Sequence, residues 1–550
     1  MIHRTARRRW LWLPLAAVLF SSPAFAQPSS EAFLADVAAL GDASFADKEQ
    51  IAARLVESRH AHARDVLTAL LDDRLYVRAA DKHVFITRAA DESAASLDLV
   101  DPLTLGDAGS SPRDGLTKIG TNNRLRKALR ITVARFDLAD PHAAVRLAAV
   151  SEMLRSLDES GAALLRARAG VETDSRVNAE IDVGLALATL DGTDARKRLD
   201  AIATLAGRPR QQIRNRLAAL LEKNPDGTDV EADAAVRTAA AAAVSRIDRA
   251  RTLYGGVETL FFGLSLGSVL VLAAIGLAIT FGVMGVINMA HGELMMLGAY
   301  TTYVVQLLMP RHIGASILVA VPAAFVVTGL AGVLLERCII RFLYGRPLET
   351  LLATFGVSLV LQQLVRSVFT ANNRDVVTPA WMSGTLQLGD ALAITYNRLY
   401  IVIFTMIVFA VLLAVLKRTT LGLEIRAVSQ NRAMARAMGV RSEWVDAMTF
   451  GLGSGIAGVA GVALSQLTNV GPNLGQSYII DSFMVVVFGG VGNLWGTLIG
   501  GMSMGIVNKL LEPYAGAVLG KILVLVALIV FIQGRPRGLF PQTGRAAEGQ

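Results

Sequence analysis

The chain has 550 residues, 53% of them hydrophobic and 18% charged, with a mean hydropathy of +0.46. These values exclude an ordinary soluble protein and allow several domains. The formal net charge of +8 does not require a nucleic-acid partner, because cytoplasmic Arg and Lys residues that fix membrane topology produce the same excess. The single cysteine, Cys338, excludes an internal disulfide framework and a cysteine metal cluster.

The first 26 residues have the pattern of a secretory signal. A run of arginines precedes a short apolar core, Trp10–Phe20, and Ala24-Phe25-Ala26 places small residues where signal peptidase reads. The core is too short to span a bilayer. We therefore expect residues 27–250 to lie in the periplasm.

Residues 27–250 are predicted to form a mainly helical domain. Leu75–Arg88 is expected to be two short strands about a polar turn, and Leu103–Asn123, rich in Gly, Ser, Pro and Asn, a loop. Three segments share an acidic start, a Val-Arg or Arg-Val pair and a helix of small residues: Asp140–Leu154, Asp174–Leu190 and Glu231–Ile247. They resemble HEAT-type helical repeats, and an Ala-rich bundle without repeats is the alternative.

This domain shows neither a nucleophile–base pair nor a metal-ligand spacing. Its histidines are scattered, so the domain is expected to offer a docking or scaffolding surface rather than an active site, and no cofactor or metal is predicted.

Residues 256–533 are predicted to be an all-α, polytopic membrane domain of about eight or nine segments. A span needs roughly 20 apolar residues, so the two short runs near 476–511 could be re-entrant. The candidate segments are 258–283, 289–308, 314–335, 348–370, 399–416, 444–468, 476–490, 494–511 and 515–533.

The distribution of basic residues predicts the orientation of these segments. The loops at 336–346 and 417–443 and the tail, 534–550, are rich in Arg and Lys, whereas the loop at 371–398 has only two arginines. By the positive-inside rule the basic loops and the C-terminus are cytoplasmic, in agreement with the signal sequence.

The stretch VINMAHGELMMLGAY, Val286–Tyr300, carries His291 and Glu293 between apolar runs. We expect an interfacial turn in which Gly292 permits a break and Glu293 meets the positive N-terminal end of the next helix. A proton relay is the alternative. Repeated small-xxx-small spacings, such as Gly451/Gly455, predict close helix packing further along the chain.

The cytoplasmic loop 417–443 is longer than a simple connector needs. Small and methionine residues are expected on or near one helical face, which suits docking into a groove of another protein. No GxxxxGK[ST] phosphate loop occurs in the sequence, so any ATP would be hydrolysed by a partner. The residues of that face are Ala427, Asn431, Met434, Ala435, Met438 and Gly439.

Three long stretches resemble the branched-chain amino acid ABC transporter permeases: GLAITFGVMGVINMAHGELMMLGAY, LGLEIRAVSQNRAMARAMGV and DSFMVVVFGGVGNLWGTLIGG. Within that family the chain is most similar to the urea permease subunits of the first type, which carry a long signal-led extension. The resemblance implies an importer with a second permease subunit, two ABC ATPases and a periplasmic urea-binding protein, embedded in inner-membrane lipid. It also implies a segment that couples to the ATPases, whose residues here are Glu424, Arg426, Asn431, Arg436 and Gly439. It further implies a gate or hinge, whose residues here are Asn288, His291, Gly292 and Glu293.

Urea is small and neutral, so its path should offer neutral hydrogen-bonding groups. One alternative is the same machinery carrying branched-chain amino acids or short amides, and an amino acid zwitterion would favour an ion pair in the path. Another is a passive channel or sensor with a periplasmic receptor domain. Besides Asn288, the path candidates are Gln362, Gln363, Gln466, Asn469 and Asn493.

Overall fold

The computed structural model describes residues 30–58, 60–88, 96–389 and 392–540. The chain divides into two compact units, with the boundary between Val244 and Ser245. The predicted signal, residues 1–26, and the end of the predicted tail, residues 541–550, lie outside the described residues.

The first unit is built mainly from short helices, and many of them begin at a polar side chain that caps the first turn. The side chains of Asp158, Asp174 and Asp194 each accept hydrogen bonds from backbone N–H groups at the start of a helix. The helices are α1 (Ser30–Ala39), α2 (Phe45–Glu57), α3 (Ala63–Leu71), α4 (Asn123–Asp137), α5 (Ala143–Met153), α6 (Glu159–Ala169), α7 (Ser175–Thr189), α8 (Ala195–Leu205) and α9 (Gln211–Ala219).

Between α3 and α4 in the chain, five short strands form an antiparallel sheet. Numbered β1 to β5 along the chain from Leu75 to Lys118, they lie in the order β4-β3-β2-β1-β5. The predicted strands of Leu75–Arg88 are confirmed as the first two strands, but the predicted loop Leu103–Asn123 is wrong, because it contains the last two. Those two strands are polar and mostly exposed at the sheet edges. Because they are held by backbone pairing, their sequences lack the alternation of apolar residues by which a strand is predicted. The strands are β1 (Leu75–Arg78), β2 (Val84–Thr87), β3 (Ser96–Val100), β4 (Asp107–Pro112) and β5 (Leu116–Lys118).

An equivalent hydrogen bond occurs near the start of each of the three repeat-like segments. Arg146 Nη1 donates to Asp140 O at 2.9 Å, and Arg237 Nη1 donates to Glu231 O at 2.7 Å. In the middle segment a side-chain amide has the same role, because Asn178 Nδ2 donates to Glu172 O at 3.0 Å. In each case the side chain lies six residues after the carbonyl. The shared geometry supports a repeat, while its assignment as HEAT-like stays a prediction.

The second unit consists of long apolar helices. The described residues contain six helices long and apolar enough to cross a membrane, together with a shorter apolar helix, Leu474–Gly489. The polytopic helical architecture predicted from the sequence is therefore confirmed. The helices are α10 (Ala234–Met284), which begins in the first unit, α11 (His291–Leu308), α12 (Ile313–Cys338), α13 (Pro347–Phe369), α14 (Tyr396–Arg418), α15 (Thr420–Gln430), α16 (Arg432–Ala437), α17 (Ser442–Ser465), α18 (Leu474–Gly489) and α19 (Leu494–Gly534).

Helix α19 consists of two helical halves, as the predicted segments have it. The predicted segments 494–511 and 515–533 correspond to the two helical halves of α19, which are separated by a kink where Gly516 has φ 76° and ψ 166°. Pro513 removes a backbone donor just before this point, and glycine tolerates the left-handed φ, so the two halves change direction without a loop. A small hairpin, β6 (Thr385–Gln387) and β7 (Ala393–Thr395), precedes α14.

Helix α17 lies at the centre of the second unit. In its most apolar 18-residue window 89% of the residues are buried, whereas the corresponding share for α14 is 22%. Close backbone approaches explain how α17 fits there: a Cβ on Gly298 would overlap Gly458, and one on Gly461 would overlap the Met295 carbonyl. Glycine permits helix backbones to touch directly in an apolar environment.

Candidate functional site

The chain between α10 and α11 contains the predicted break, but at a different residue. Residues 285–290 are non-helical, and Gly285 has φ +65°. Asn288 Oδ1 accepts from Ala290 N at 3.0 Å, and Met289 N donates to Thr354 Oγ1 of α13 at 3.1 Å. Gly292 is the second residue of α11, so it does not form the break. Its missing side chain instead admits Gly475 of α18, whose carbonyl oxygen would lie 2.5 Å from a Cβ at position 292.

His291 and Glu293 are buried within the protein, and Glu293 lies in the first turn of α11, as predicted. Their exposed fractions are 0% and 1%. His291 Nε2 lies 2.8 Å from Ala273 O of α10. Glu293 Oε1 accepts from Gln362 Nε2 at 2.7 Å and from Ser358 Oγ at 3.0 Å, both on α13. A buried polar group needs such partners, so the two side chains join α11 to α10 and α13.

The predicted path residues do not gather in one place. Gln362 donates to Glu293, while the next residue of α13, Gln363, is exposed. Gln466 is buried beside an apolar cavity, and Asn493 caps α19 by accepting from Gly496 N at 3.1 Å. Of these five residues only Asn469 lines the polar cavity at the end of α17.

That polar cavity has a volume of about 540 Å³ and lies between the segment after α17, the first half of α18 and the kinked part of α19. Its rim is fixed by backbone pairing, because Arg374 N donates to Val470 O at 2.7 Å and Val470 N donates back to Arg374 O at 2.9 Å. The lining is rich in amide side chains: Asn373, Asn469, Asn473 and Asn508.

Two ion pairs line the same cavity. Lys521 Nζ lies 2.8 Å from Asp481 Oδ2, and Lys509 Nζ lies 2.5 Å from Glu512 Oε2. The sequence pattern indicates neither of these two pairs. The available signal is the presence of Asp481, Lys509 and Lys521 inside three predicted apolar segments.

The segment between α14 and α17 forms two short helices instead of one continuous face. Thr419 caps α15, and Asn431 ends it and caps α16 by accepting from Met434 N at 2.9 Å. Gly439, with φ +90°, follows the end of α16. The predicted single face is therefore wrong: Ala435 is buried, whereas the side chains of Met434 and Met438 are exposed.

Polar contacts attach these two helices to α17 and to the segment before α13. Arg432 forms an ion pair with Asp446, and its guanidinium lies 4.0 Å from the centre of the Tyr344 ring. Arg436 Nε donates to Ser442 Oγ at 2.6 Å, and Arg426 donates to the Leu416 carbonyl. Glu424 is half-buried on α15. These contacts hold the two helices in place, while the side chains of Met434 and Met438 stay exposed.

Comparison with known proteins identifies the second unit. Residues 259–532 match the family described as the permease component of the branched-chain amino acid transport system. The high-affinity branched-chain amino acid transport system permease protein BraD of Pseudomonas aeruginosa is 29% identical over 297 residues, which are 52% of this chain and 96% of BraD. LivH of Escherichia coli K12, a permease protein of the same kind of system, is 30% identical over 293 residues, 52% of this chain and 94% of LivH.

A more distant relative is the ribose import permease protein RbsC of Haemophilus influenzae, 30% identical over 135 residues, which cover 22% of this chain and 42% of RbsC. No solved structure matches the chain. Because nearly the whole of LivH and BraD is matched by about half of this chain, little of either relative remains to correspond to the first unit. The chain belongs to the branched-chain amino acid ABC transporter permease family.

Proposed function

We propose that this protein is the pore-forming, inner-membrane subunit of an ATP-driven importer for urea, which receives its substrate from a periplasmic binding protein. The observation that carries the choice of urea is the first unit, to which little in LivH or BraD corresponds. The urea permeases that the sequence resembles carry such an N-terminal extension.

The chemistry of the polar cavity is compatible with a neutral solute. Its charged side chains form two ion pairs, Asp481–Lys521 and Glu512–Lys509, so their formal charges cancel. Asparagine side chains offer both donors and acceptors, which suits a planar molecule with amino donors and one carbonyl acceptor. Paired charges hold an ion less strongly than an isolated charge would.

The proposed orientation places the first unit in the periplasm and the C-terminus in the cytoplasm, as the basic loops predict. The two helices α15 and α16 would then face the ATPases, with exposed Met434 and Met438 as the apolar contact. The proposed partners are a second permease subunit, two ABC ATPases and a periplasmic urea-binding protein. Asn288, in the segment that joins α10 to α11, and His291, Gly292 and Glu293, in the first turn of α11, remain our candidate gate or hinge.

Branched-chain amino acids are the second candidate substrate. The ion pair of Asp481 and Lys521 inside the cavity favours them, because an amino acid zwitterion could exchange both partners of such a pair. The curated relatives BraD and LivH carry this substrate class in their names.

Uptake by a deletion strain complemented with this gene tests the proposal. Labelled urea and labelled leucine are supplied separately, with the partner ATPases either active or inactivated in their phosphate loops. We expect urea uptake that requires active ATPases. Leucine uptake without urea uptake would favour the second candidate, and urea uptake that survives ATPase inactivation would indicate a passive channel.

A further inference from the structure

The ion pair of Asp481 and Lys521 lines the polar cavity and connects α18 to the second half of α19. Asp481 is the eighth residue of α18 and is 5% exposed, whereas Lys521 follows the kink of α19. With a rise of about 1.5 Å per residue, the cavity extends about 10 Å along α18 before it reaches Asp481. In the orientation proposed above, this depth is measured from the periplasmic side.

The cavity has the size and polarity of a small-molecule site. Its volume of about 540 Å³ falls within the roughly 300–1,000 Å³ usual for ligand pockets. Asn508 lines it and is 8% exposed, yet its Oδ1 accepts no hydrogen bond from any residue that the structure describes. Buried amide oxygens are nearly always hydrogen-bonded, so this atom is available to a donor from outside the chain, either water or a solute.

Neither partner of the ion pair is saturated. Within the described part of the chain, Asp481 Oδ1 accepts no side-chain hydrogen bond, and Lys521 Nζ uses one of its three donor hydrogens on Asp481. A small molecule can therefore offer an N–H group to the carboxylate and an oxygen to the ammonium without first breaking the pair.

We propose that this cavity is a substrate subsite in which Asp481, Lys521 and Asn508 bind a small solute that carries an N–H donor and an oxygen acceptor side by side. Urea and an amino acid zwitterion share this chemistry. The inference rests on the proposed transport function but not on the choice between the two substrates. Asp481 would accept from the N–H group, Lys521 would donate to the oxygen, and Asn508 Oδ1 would accept a second N–H.

An ion pair between membrane helices can also be purely structural, and a charge swap separates the two roles. The complex of this chain with its partner subunits is reconstituted, and uptake of urea and of leucine is measured for Asp481→Lys combined with Lys521→Asp. We expect the swap to keep assembly and the unfolding temperature close to those of the unchanged protein, because the pair is retained. Uptake should fall at least about tenfold, since the donor and acceptor have exchanged places.

Two further variants keep the test decisive if the swap fails to assemble. Asn508→Leu removes the free acceptor with no change in charge and should lower uptake about threefold to tenfold without loss of stability. Glu349→Gln is the control, because its ion pair with Arg346 is exposed and lies outside the cavity; its uptake should be unchanged.

The subsite is overturned if the swap transports like the unchanged protein, or if Asn508→Leu leaves uptake of the carried solute unaffected. Failure of the urea assignment is distinguishable. It appears as leucine uptake in the unchanged protein, and the subsite then stands if the same variants lower leucine uptake.

Discussion

Gly292 lets the backbone of α11 touch that of α18, and Gly292→Ala tests how strongly the packing depends on this contact. A Cβ at this position would lie 2.5 Å from Gly475 O and 2.8 Å from the Gly475 carbonyl carbon. Favourable contacts between such atoms begin near 3.5 Å, so the two helices would have to separate by about 0.5–1 Å.

Gly356→Ala provides a matched control for the size of the effect. Both glycines are helical residues of the second unit, but a Cβ at position 356 meets no heavy atom within 4 Å. Each substitution gains about 0.5–1 kcal/mol from the lower backbone entropy of the unfolded chain. Only Gly292→Ala adds overpacking, which typically costs about 1–3 kcal/mol. The difference between the two variants therefore isolates the overlap.

Thermal unfolding of the purified chain in detergent measures this difference. A change of 1 kcal/mol corresponds to about 2–4 °C for a domain of 150–250 residues, so Gly292→Ala should unfold about 2–12 °C below Gly356→Ala. Equal unfolding temperatures for the two variants would refute the claim that α11 and α18 are in tight backbone contact.

Three other predictions concern other parts of the chain. Glu172 accepts from Arg146 and Arg168, which hold its pKa well below the ordinary value, so its stabilising effect is complete above about pH 4.3 and is lost as the pH falls further. Glu172→Gln should speed hydrogen exchange in the first unit at pH 7 and reduce this acid dependence, unlike Asp81→Asn at an exposed pair. Equal exchange in both variants would contradict a structural role for the buried pair. Met434→Glu with Met438→Glu should abolish co-purification of the ATPases by placing charge in an apolar contact, whereas Val171→Glu, also at an exposed position, should not; retention of the ATPases by the double variant would place the contact elsewhere. A membrane-impermeant maleimide applied to spheroplasts should leave the native Cys338 unlabelled and should label Asn469→Cys in a Cys338→Ser background; the reverse pattern would invert the proposed orientation.

The membrane segments could be predicted from the sequence because apolar run length is a direct physical requirement of the bilayer. The predicted run 348–370 corresponds to α13, Pro347–Phe369, and 399–416 lies within α14, Tyr396–Arg418. The division of α19 near Pro513 and Gly516 agrees with the predicted boundary between 494–511 and 515–533, although residues of these types do not distinguish a loop from a kink.

The partners and the burial of His291 and Glu293 could not be predicted in the same way, although the place of Glu293 at the start of a helix could. The sequence places them at the end of an apolar run, where an interfacial turn needs no partner. Their burial depends on Ala273, Ser358 and Gln362, which are 18, 65 and 69 positions away. Periodicity within one helix carries no information about partners at such separations.

The same limitation explains the missed ion pair. Asp481 and Lys521 are 40 positions apart and meet because α19 folds back at its kink. The paired edge strands β4 and β5 were missed for a related reason, since their register depends on neighbouring strands instead of their own side chains.

The central burial of α17 has a consequence for the biogenesis of the protein. Insertion machinery accepts a segment according to its own apolar character, and α17 is less apolar than α14, although it lies deeper in the fold. Its finished environment is supplied by α11 and α12, which precede it in the chain and contact its glycines. We therefore expect the insertion of α17 into the membrane during synthesis to depend on these earlier helices. A chain that carries α17 without α11 and α12 should insert it poorly.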